Sequence, residues 1–380
     1  MSAGRSRSHS VLADRFEAFE RTAGSRAPLY ARLAPRIASD GELLTLLDSA
    51  PPLQRLPVLL FAAVHLLVLE GRAPELAAHY PNLAPPADDR RRPAGDDPFP
   101  AFRTAALDNA ERVQSIAATS RTQTNEVGRC AWLMPLASAV SHEVGPIALV
   151  DVGASAGLNL LMRHFAYDYS LPDSSHIRIV DPAWDGLAPT AVEIECDIRP
   201  CGGRQLGPPT SLPAVADAVG LDASPIDVRD ESRVRWLEAC VWPDMVVRFR
   251  RLVAALELAR TMPPRVVRGD AVDDILDVLG PASSAGHPVV MTSWVMNYLD
   301  KDRQRQFVDA LDSFASHSDL SWIIAESPAE TPGLPVGTTE PPEDLTVVSL
   351  VRWRRGVRTV QRVATAHPHG FWMRADCQQA

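Results

Sequence analysis

The stretch Val150-Asp151-Val152-Gly153-Ala154-Ser155-Ala156-Gly157-Leu158-Asn159, VDVGASAGLN, supports two readings that point to different chemistry. Its GASAG core fits G-x-S-x-G, a sharp turn from strand into helix that exposes a nucleophilic serine. With Asp151 in front, the same residues fit a glycine-rich loop that cradles a ligand over a helix N-terminus. Ile147 to Val152 is a continuous apolar run of strand length, and Gly157 is placed to open a helix. What lies on either side decides which reading holds.

Everything before Ile147 reads as helical. Ser10 can cap a helix whose Leu12, Phe16 and Phe19 share one face. LPVLLFAAVHLLVL, from Leu56 to Leu69, is apolar all round and should be a buried helix, with His65 a satisfied core histidine. The proline-rich, charged segment from Pro81 to Pro100 reads as a loop or linker. After Pro146, short β-rich runs alternate with helical stretches, the pattern of a largely parallel sheet covered by helices. Ile177 to Val180 and Val192 to Ile198 read as an inserted hairpin. In the second run Val192, Ile194, Cys196 and Ile198 share one face, while Glu193, Glu195 and Asp197 share the other. Two helices follow, the second opening at Pro243. Further strands are expected at 265–268, 288–292, 322–325, 345–353 and 357–365, the last two a terminal hairpin turning at Arg354-Arg355-Gly356. A helix over Lys301 to Ser316 carries Phe307, Leu311 and Phe314 on one face. The expected division is a helical N-terminal domain over 1–125 and an α/β domain over 126–380.

The GASAG strand is thus the first of its sheet, where a Rossmann-type fold carries its glycine loop. A hydrolase elbow comes later, after several strands and an oxyanion loop. Ser155, Asp270 and His369 stand in an order that permits a triad, so a serine hydrolase using Ser155 stays as the lesser alternative. A nicotinamide fingerprint would read G-x-G-x-x-G, which this stretch does not. D-x-G-x-x-x-G after a first strand resembles motif I of class I S-adenosylmethionine-dependent methyltransferases, with Ser155 at the middle glycine position. That replacement fits if the backbone at Ser155 needs no positive φ.

Other landmarks resemble that family in order: GLDASP at Gly220 to Pro225, RGDA at Arg268 to Ala271, and VMTSWVMNYL at Val290 to Leu299. The chain also resembles, along nearly its whole length, a bacterial family known as domain of unknown function 2332. PLYARLA, TQTNEVGRC, GASAGLNLL, GLDASPIDV, VWPD, RGDAVDD and HPHG carry that likeness. The resemblance implies a Rossmann-like methyltransferase sheet with S-adenosylmethionine held by Asp151, Gly153, Ser155, Gly157, Asn159, Asp222, Asp270, Ala271, Thr292 and Ser293. Asp222 would accept the ribose hydroxyls, with Asp181 as the competing acid, and Asp270 the adenine amino group. Gln123, Asn125 and Trp294 are the expected substrate contacts, with Glu126 and Tyr298 as acid/base groups. His367 and His369 close a strand that in the standard fold finishes away from the cofactor edge, which speaks against catalysis by them. A regulatory protein that binds the nucleoside without transferring methyl is the main alternative.

Composition limits the partners. Of 380 residues 46% are hydrophobic, enough for a large core, and the net charge of −9 offers no field that gathers nucleic acid or anionic lipid. Lys301 is the only lysine. Five scattered cysteines suggest neither a disulfide framework nor a metal site. With no secretory leader and no apolar run of spanning length, a cytoplasmic protein acting on a small molecule or peptide is expected.

Overall fold

The computed structural model describes residues 2–24, 26–84, 96–181, 192–200, 211–330 and 345–375. Most of the linker expected over 81–100 lies outside them. The chain divides into two compact units: Met1–Thr124 with Asp230–Val253, and Asn125–Arg229 with Ala254–Ala380. A single boundary at 125 is therefore amended. Residues 230–253 return to the first unit because Trp236 and Ala239 enter the core built by Phe16, Leu33 and Phe61.

The first unit is helical in its described residues. Its longest helix, Ser2–Ala23, runs through Ser10, which is interior to it and does not cap it. The expected buried helix is Pro57–Leu69, with Pro57 supplying the fixed φ of a first turn. Within it His65 is fully buried and satisfied, Nδ1 meeting the Ala239 carbonyl at 3.0 Å and Nε2 the Asn82 amide at 3.1 Å. Burial pushes its pKa down to about 4, so it stays neutral at neutral pH. The helix expected at Pro243 begins at Val246 and extends to Thr261.

The second unit is mixed α/β around one large, mostly parallel sheet. Its strands are β1 (Ile147–Val152), β2 (Ala166–Ser170), β3 (His176–Ile179), β4 (Glu193–Arg199), β5 (Val215–Asp222), β6 (Val266–Arg268), β7 (His287–Ser293), β8 (Leu320–Glu326), β9 (Thr346–Arg354), β10 (Val357–Ala366) and β11 (Trp372–Ala375). The order is β3-β2-β4-β11-β10-β9-β8-β7-β1-β5-β6. β6, β5, β1, β7 and β8 are mutually parallel, and β9 and β10 follow as successive antiparallel neighbours. β1 and β8 are buried at every residue, as continuous apolar runs require of strands covered on both faces.

Three departures from the expected sheet matter for the site. The segment after Gly157 is a 3-10 stretch, Leu158–His164, and not an α-helix. Its residues Leu158 to Met162 are all buried and the chain enters β2 at Ala166, so no room remains for a helix with a wet face. The expected hairpin of 177–180 with 192–198 does not form. β3 pairs antiparallel with β2, whose AYDYS had not read as a strand, and β4 lies on the other side of β2, parallel to it. The alternation in β4 is as the sequence suggests, with Ile194, Cys196 and Ile198 buried and the three acids exposed.

The third departure is one of direction. β10 runs antiparallel to β9, which runs antiparallel to β8, so two reversals return β10 to the direction of the parallel strands. Its end at Ala366 pairs with Thr346, and Val347 beside that pairs with Glu326, the last residue of β8. His367 and His369 therefore emerge at the edge where β1, β5, β7 and β8 end.

β2 stands seven places from β1 in the sheet, and residues 153–165 join them. Helix Cys130–Val144 packs on β1, β7 and β8 and on β4. The Tyr169 hydroxyl of β2 donates to the Ala131 carbonyl of that helix at 3.0 Å. Among the described residues no helix is long and apolar enough to cross a membrane.

Candidate functional site

The loop after β1 holds three residues in the left-handed region: Gly153 at φ 74°, Ser155 at 55° and Gly157 at 72°. The condition set for a serine at the middle position is thus not met. An L-residue there costs roughly 1–2 kcal/mol, so the surrounding bonds must hold it. They are visible: Ser155 N–H donates to Asp222 Oδ2 at 2.8 Å, and its carbonyl accepts from Ile226 N–H at 3.1 Å. The flanking glycines serve packing. A Cβ on Gly153 would stand 2.6 Å from Val295, and one on Gly157 2.7 Å from Pro264 and Val266.

Every loop N–H is already spent. Gly153 and Ala154 donate to the Leu221 carbonyl, Gly157 to that of Ala154, and Ala156 and Leu158 both donate to Asn125 Oδ1 at 3.1 and 3.2 Å. Asn125, expected to meet substrate, clamps the loop instead. Asp222 ends β5, the strand paired with β1, and its Oδ1 accepts Ser224 N–H at 2.7 Å. Asp181 follows the far-edge strand β3 and stands 3.9 Å from Arg163.

Beneath this loop lies a buried ionisable cluster. Asp151 is 3% exposed, and burial, then the Asp222 charge, push its carboxyl up to about 7 against the pull of Arg129. Glu326 is 1% exposed and pushed up to about 8 by burial, opposed by the Val295 N–H and by Arg129. Its two oxygens accept Val295 and Met296 N–H at 3.0 and 3.3 Å. Arg129 is itself buried, donating to the Ser293 carbonyl at 2.7 Å and the Pro368 carbonyl at 3.3 Å. Glu126 caps the turn Val127–Arg129 through Gly128 N–H, and its Oε2 lies 3.2 Å from His369 Nδ1. Three buried polar atoms in this region have no partner among the described residues: Asp151 Oδ2, Ser155 Oγ and Ser293 Oγ. Unsatisfied groups so placed are where a ligand's donors and acceptors belong.

Several expected site residues stand elsewhere. Tyr298 is 77% exposed on the turn Met296–Tyr298, outside the buried cluster. Thr292 is fully buried, its hydroxyl accepting the Trp322 indole N–H at 3.0 Å in the core. Asn159 is buried, with Oδ1 3.5 Å from the Cys130 thiol. Asp270 Oδ1 caps its own turn through Val272 and Asp273 N–H, and the carboxylate pairs with Arg303. Burial acts to raise its pKa, but those two N–H groups and Arg303 together hold it below the ordinary value. Ala271 sits in the same turn, packed on the core. Gln123 belongs to the helical unit, where its backbone meets the Cys240 sulfur. Trp294 takes a positive φ of 59°, rare for so bulky a residue, with its indole N–H on Thr346 Oγ1 at 2.9 Å.

Arg129 and Glu326 are not among the candidates the sequence offers, and His369 is among them only as the histidine of the hydrolase triad. An acid ending a mostly apolar strand, LSWIIAE, and an arginine opening the apolar run CAWLM are the sequence signals that point to the first two. His369 needed the direction of β10. The family model described as an uncharacterised protein conserved in bacteria, DUF2332, matches residues 13–375. No curated protein matches the chain.

Proposed function

The chain belongs to this family of uncharacterised bacterial proteins, DUF2332, and for it we propose S-adenosylmethionine-dependent methyl transfer to a small molecule or peptide on a Rossmann-like sheet. The carrying observation is the joint between Asp222 and the glycine loop. An acid ending the strand next to β1 stands where the resemblance calls for the ribose ligand, and its bond to the Ser155 N–H ties it to the loop that would hold the methionine end. Asp222 uses two of about four acceptor sites on N–H groups of its own chain and keeps the others for hydroxyls.

The donor chemistry of the site fits this cofactor better than a phosphate-bearing one. With all loop N–H groups committed and no α-helix opening after the loop, little remains to bind a pyrophosphate. An adenosyl ligand with a cationic sulfonium and an ammonium suits the acids that meet at the loop, Asp151 below it and Asp222 bonded to its middle N–H. Asp151 Oδ2 and Ser155 Oγ are the groups that would hold its methionine end, with Ser293 Oγ at the end of β7, the strand paired with β1. The cofactor supplies an activated methyl group. The residues of this chain align it, exclude water and manage the acceptor's proton.

Isothermal titration with S-adenosylmethionine and S-adenosylhomocysteine tests the reading; binding of neither would overturn it. One observation favours a second reading. The strained φ of Ser155 is also what a nucleophile elbow shows, so a fluorophosphonate probe tests the hydrolase: labelling of Ser155 would replace the methyltransferase. Binding without any transfer would leave a regulatory nucleoside binder.

A further inference from the structure

His369 and Glu126 form a carboxylate–imidazole pair that no part of the glycine loop requires. Glu126 is buried, with one oxygen fixed by Gly128 N–H, so the other cannot turn from His369 Nδ1 without breaking that cap. The histidine is held as firmly from its own side. Its backbone N–H donates to His367 Nδ1 at 3.1 Å, and Arg129 donates to the carbonyl of Pro368. Gly370 lies against the turn at Gly128 so closely that a Cβ would stand 1.9 Å from the Gly128 carbonyl oxygen, and it takes φ 78° to do so. Yet the His369 side chain keeps 16% exposure while its Nδ1 is buried, so the opening is toward the rest of the ring.

We infer that His369 is the general base of this site, with Glu126 as its positioning residue, and that the acceptor is one that must lose a proton, an O–H or N–H group. This rests on the methyltransferase reading for its chemistry but on the pair's own geometry for its existence. An acceptor that is already a free nucleophile, such as a thioether, would need no such pair. The acceptor's lone pair forms the bond to the methyl carbon, the carbon–sulfur bond breaks with its electrons staying on sulfur, and the acceptor's proton passes to His369 Nε2. The imidazolium then faces Glu126 across Nδ1. A carboxylate 3.2 Å from the ring stabilises its charged form. The charged and titratable groups facing His369 are Glu126, Arg129 on the adjoining carbonyl and His367 beside it. Glu126 is therefore the partner and not the base, which revises its expected role.

A tie that merely fastens residues 367–370 to the turn at 126–129 would need neither titration nor access. Two measurements on the full chain separate the cases. In histidine-labelled protein, the ring resonance that disappears in His369→Asn should titrate between pH 5 and 9, and Glu126→Gln should lower its midpoint by about one unit. In wild type, diethyl pyrocarbonate should modify His369, mapped by mass spectrometry, and saturating S-adenosylhomocysteine should slow that modification at least threefold. His369→Asn should meanwhile bind S-adenosylmethionine within about threefold of wild type, because the base serves the acceptor. A silent, unreactive His369, or a midpoint unmoved by Glu126→Gln, overturns the inference even where the cofactor binds. If the pair titrates but neither S-adenosyl compound binds, the methyltransferase reading falls and the dyad stands as a base for other chemistry.

Discussion

Glu326→Gln should reverse the sign of its effect on stability between pH 5 and pH 9. The carboxyl ionises near 4.5 in an unfolded chain and is pushed up to about 8 in the folded one. A folded-state pKa above the unfolded one means the unfolded chain gives up its proton first, so wild-type stability is fullest below pH 4.5 and drains away as pH rises toward 8. Three and a half units correspond to about 5 kcal/mol once both states are ionised. Glutamine does not titrate and escapes that loss, but has one acceptor oxygen where glutamate has two. The Met296 N–H, 3.3 Å from Oε2, then faces an amide NH2, costing roughly 1–3 kcal/mol. Wild type has already lost about 0.8 kcal/mol at pH 5, so the variant should be less stable there by roughly 0–2 kcal/mol, and more stable at pH 9 by roughly 2–4 kcal/mol. Urea unfolding at pH 5, 7 and 9, read by the fluorescence of Trp322 and Trp353 in the same core, measures the difference. Asp151 titrates in both proteins and cancels to first order. A stability difference that does not change with pH would show that Glu326 is ionised in the folded state and refute the burial account of this cluster.

Asp222→Asn should weaken S-adenosylmethionine tenfold or more in calorimetry, about 1.4 kcal/mol, while Asp181→Asn changes little; the reverse order would move the ribose acid to the far edge of the sheet. Ser155→Gly should weaken that affinity roughly tenfold, about 1.4 kcal/mol, by removing the hydroxyl that would meet the methionine end, and raise stability by about 1 kcal/mol, since glycine takes a positive φ without strain; an unchanged affinity would take that role from the hydroxyl, and a destabilised variant would mean the hydroxyl has a partner worth more than the strain.

The elements were largely legible in the sequence because they are written in short-range periodicity. The apolar run at Ile147 to Val152, the in–out alternation from Val192 to Ile198, the all-apolar helix around His65 and the hairpin turning at Arg355-Gly356 each follow from residues a few positions apart. GASAG, with Asp151 before it and Asp222 far beyond, was likewise visible as a motif. What the motif does with its atoms was not. That Ser155 needs a positive φ, that Asn125 consumes two loop N–H groups, and that Gly153 yields to Val295 depend on what another segment presents to the loop. Strand order and direction are of the same kind. β2 is not legible in the sequence because five residues, AYDYS, give too little pattern to stand out, and it exists by pairing with β3 and β4. The sequence alone gives His369 no place at the site, because it does not reveal which way the last long strand runs. Two antiparallel steps from β8 bring it back, and with it the contact to Glu126, 243 positions earlier in the chain. Local propensity fixes whether a segment is strand or helix, but which end of the sheet a residue reaches is set by pairings between distant segments, and the ionisable cluster exists only where those ends meet.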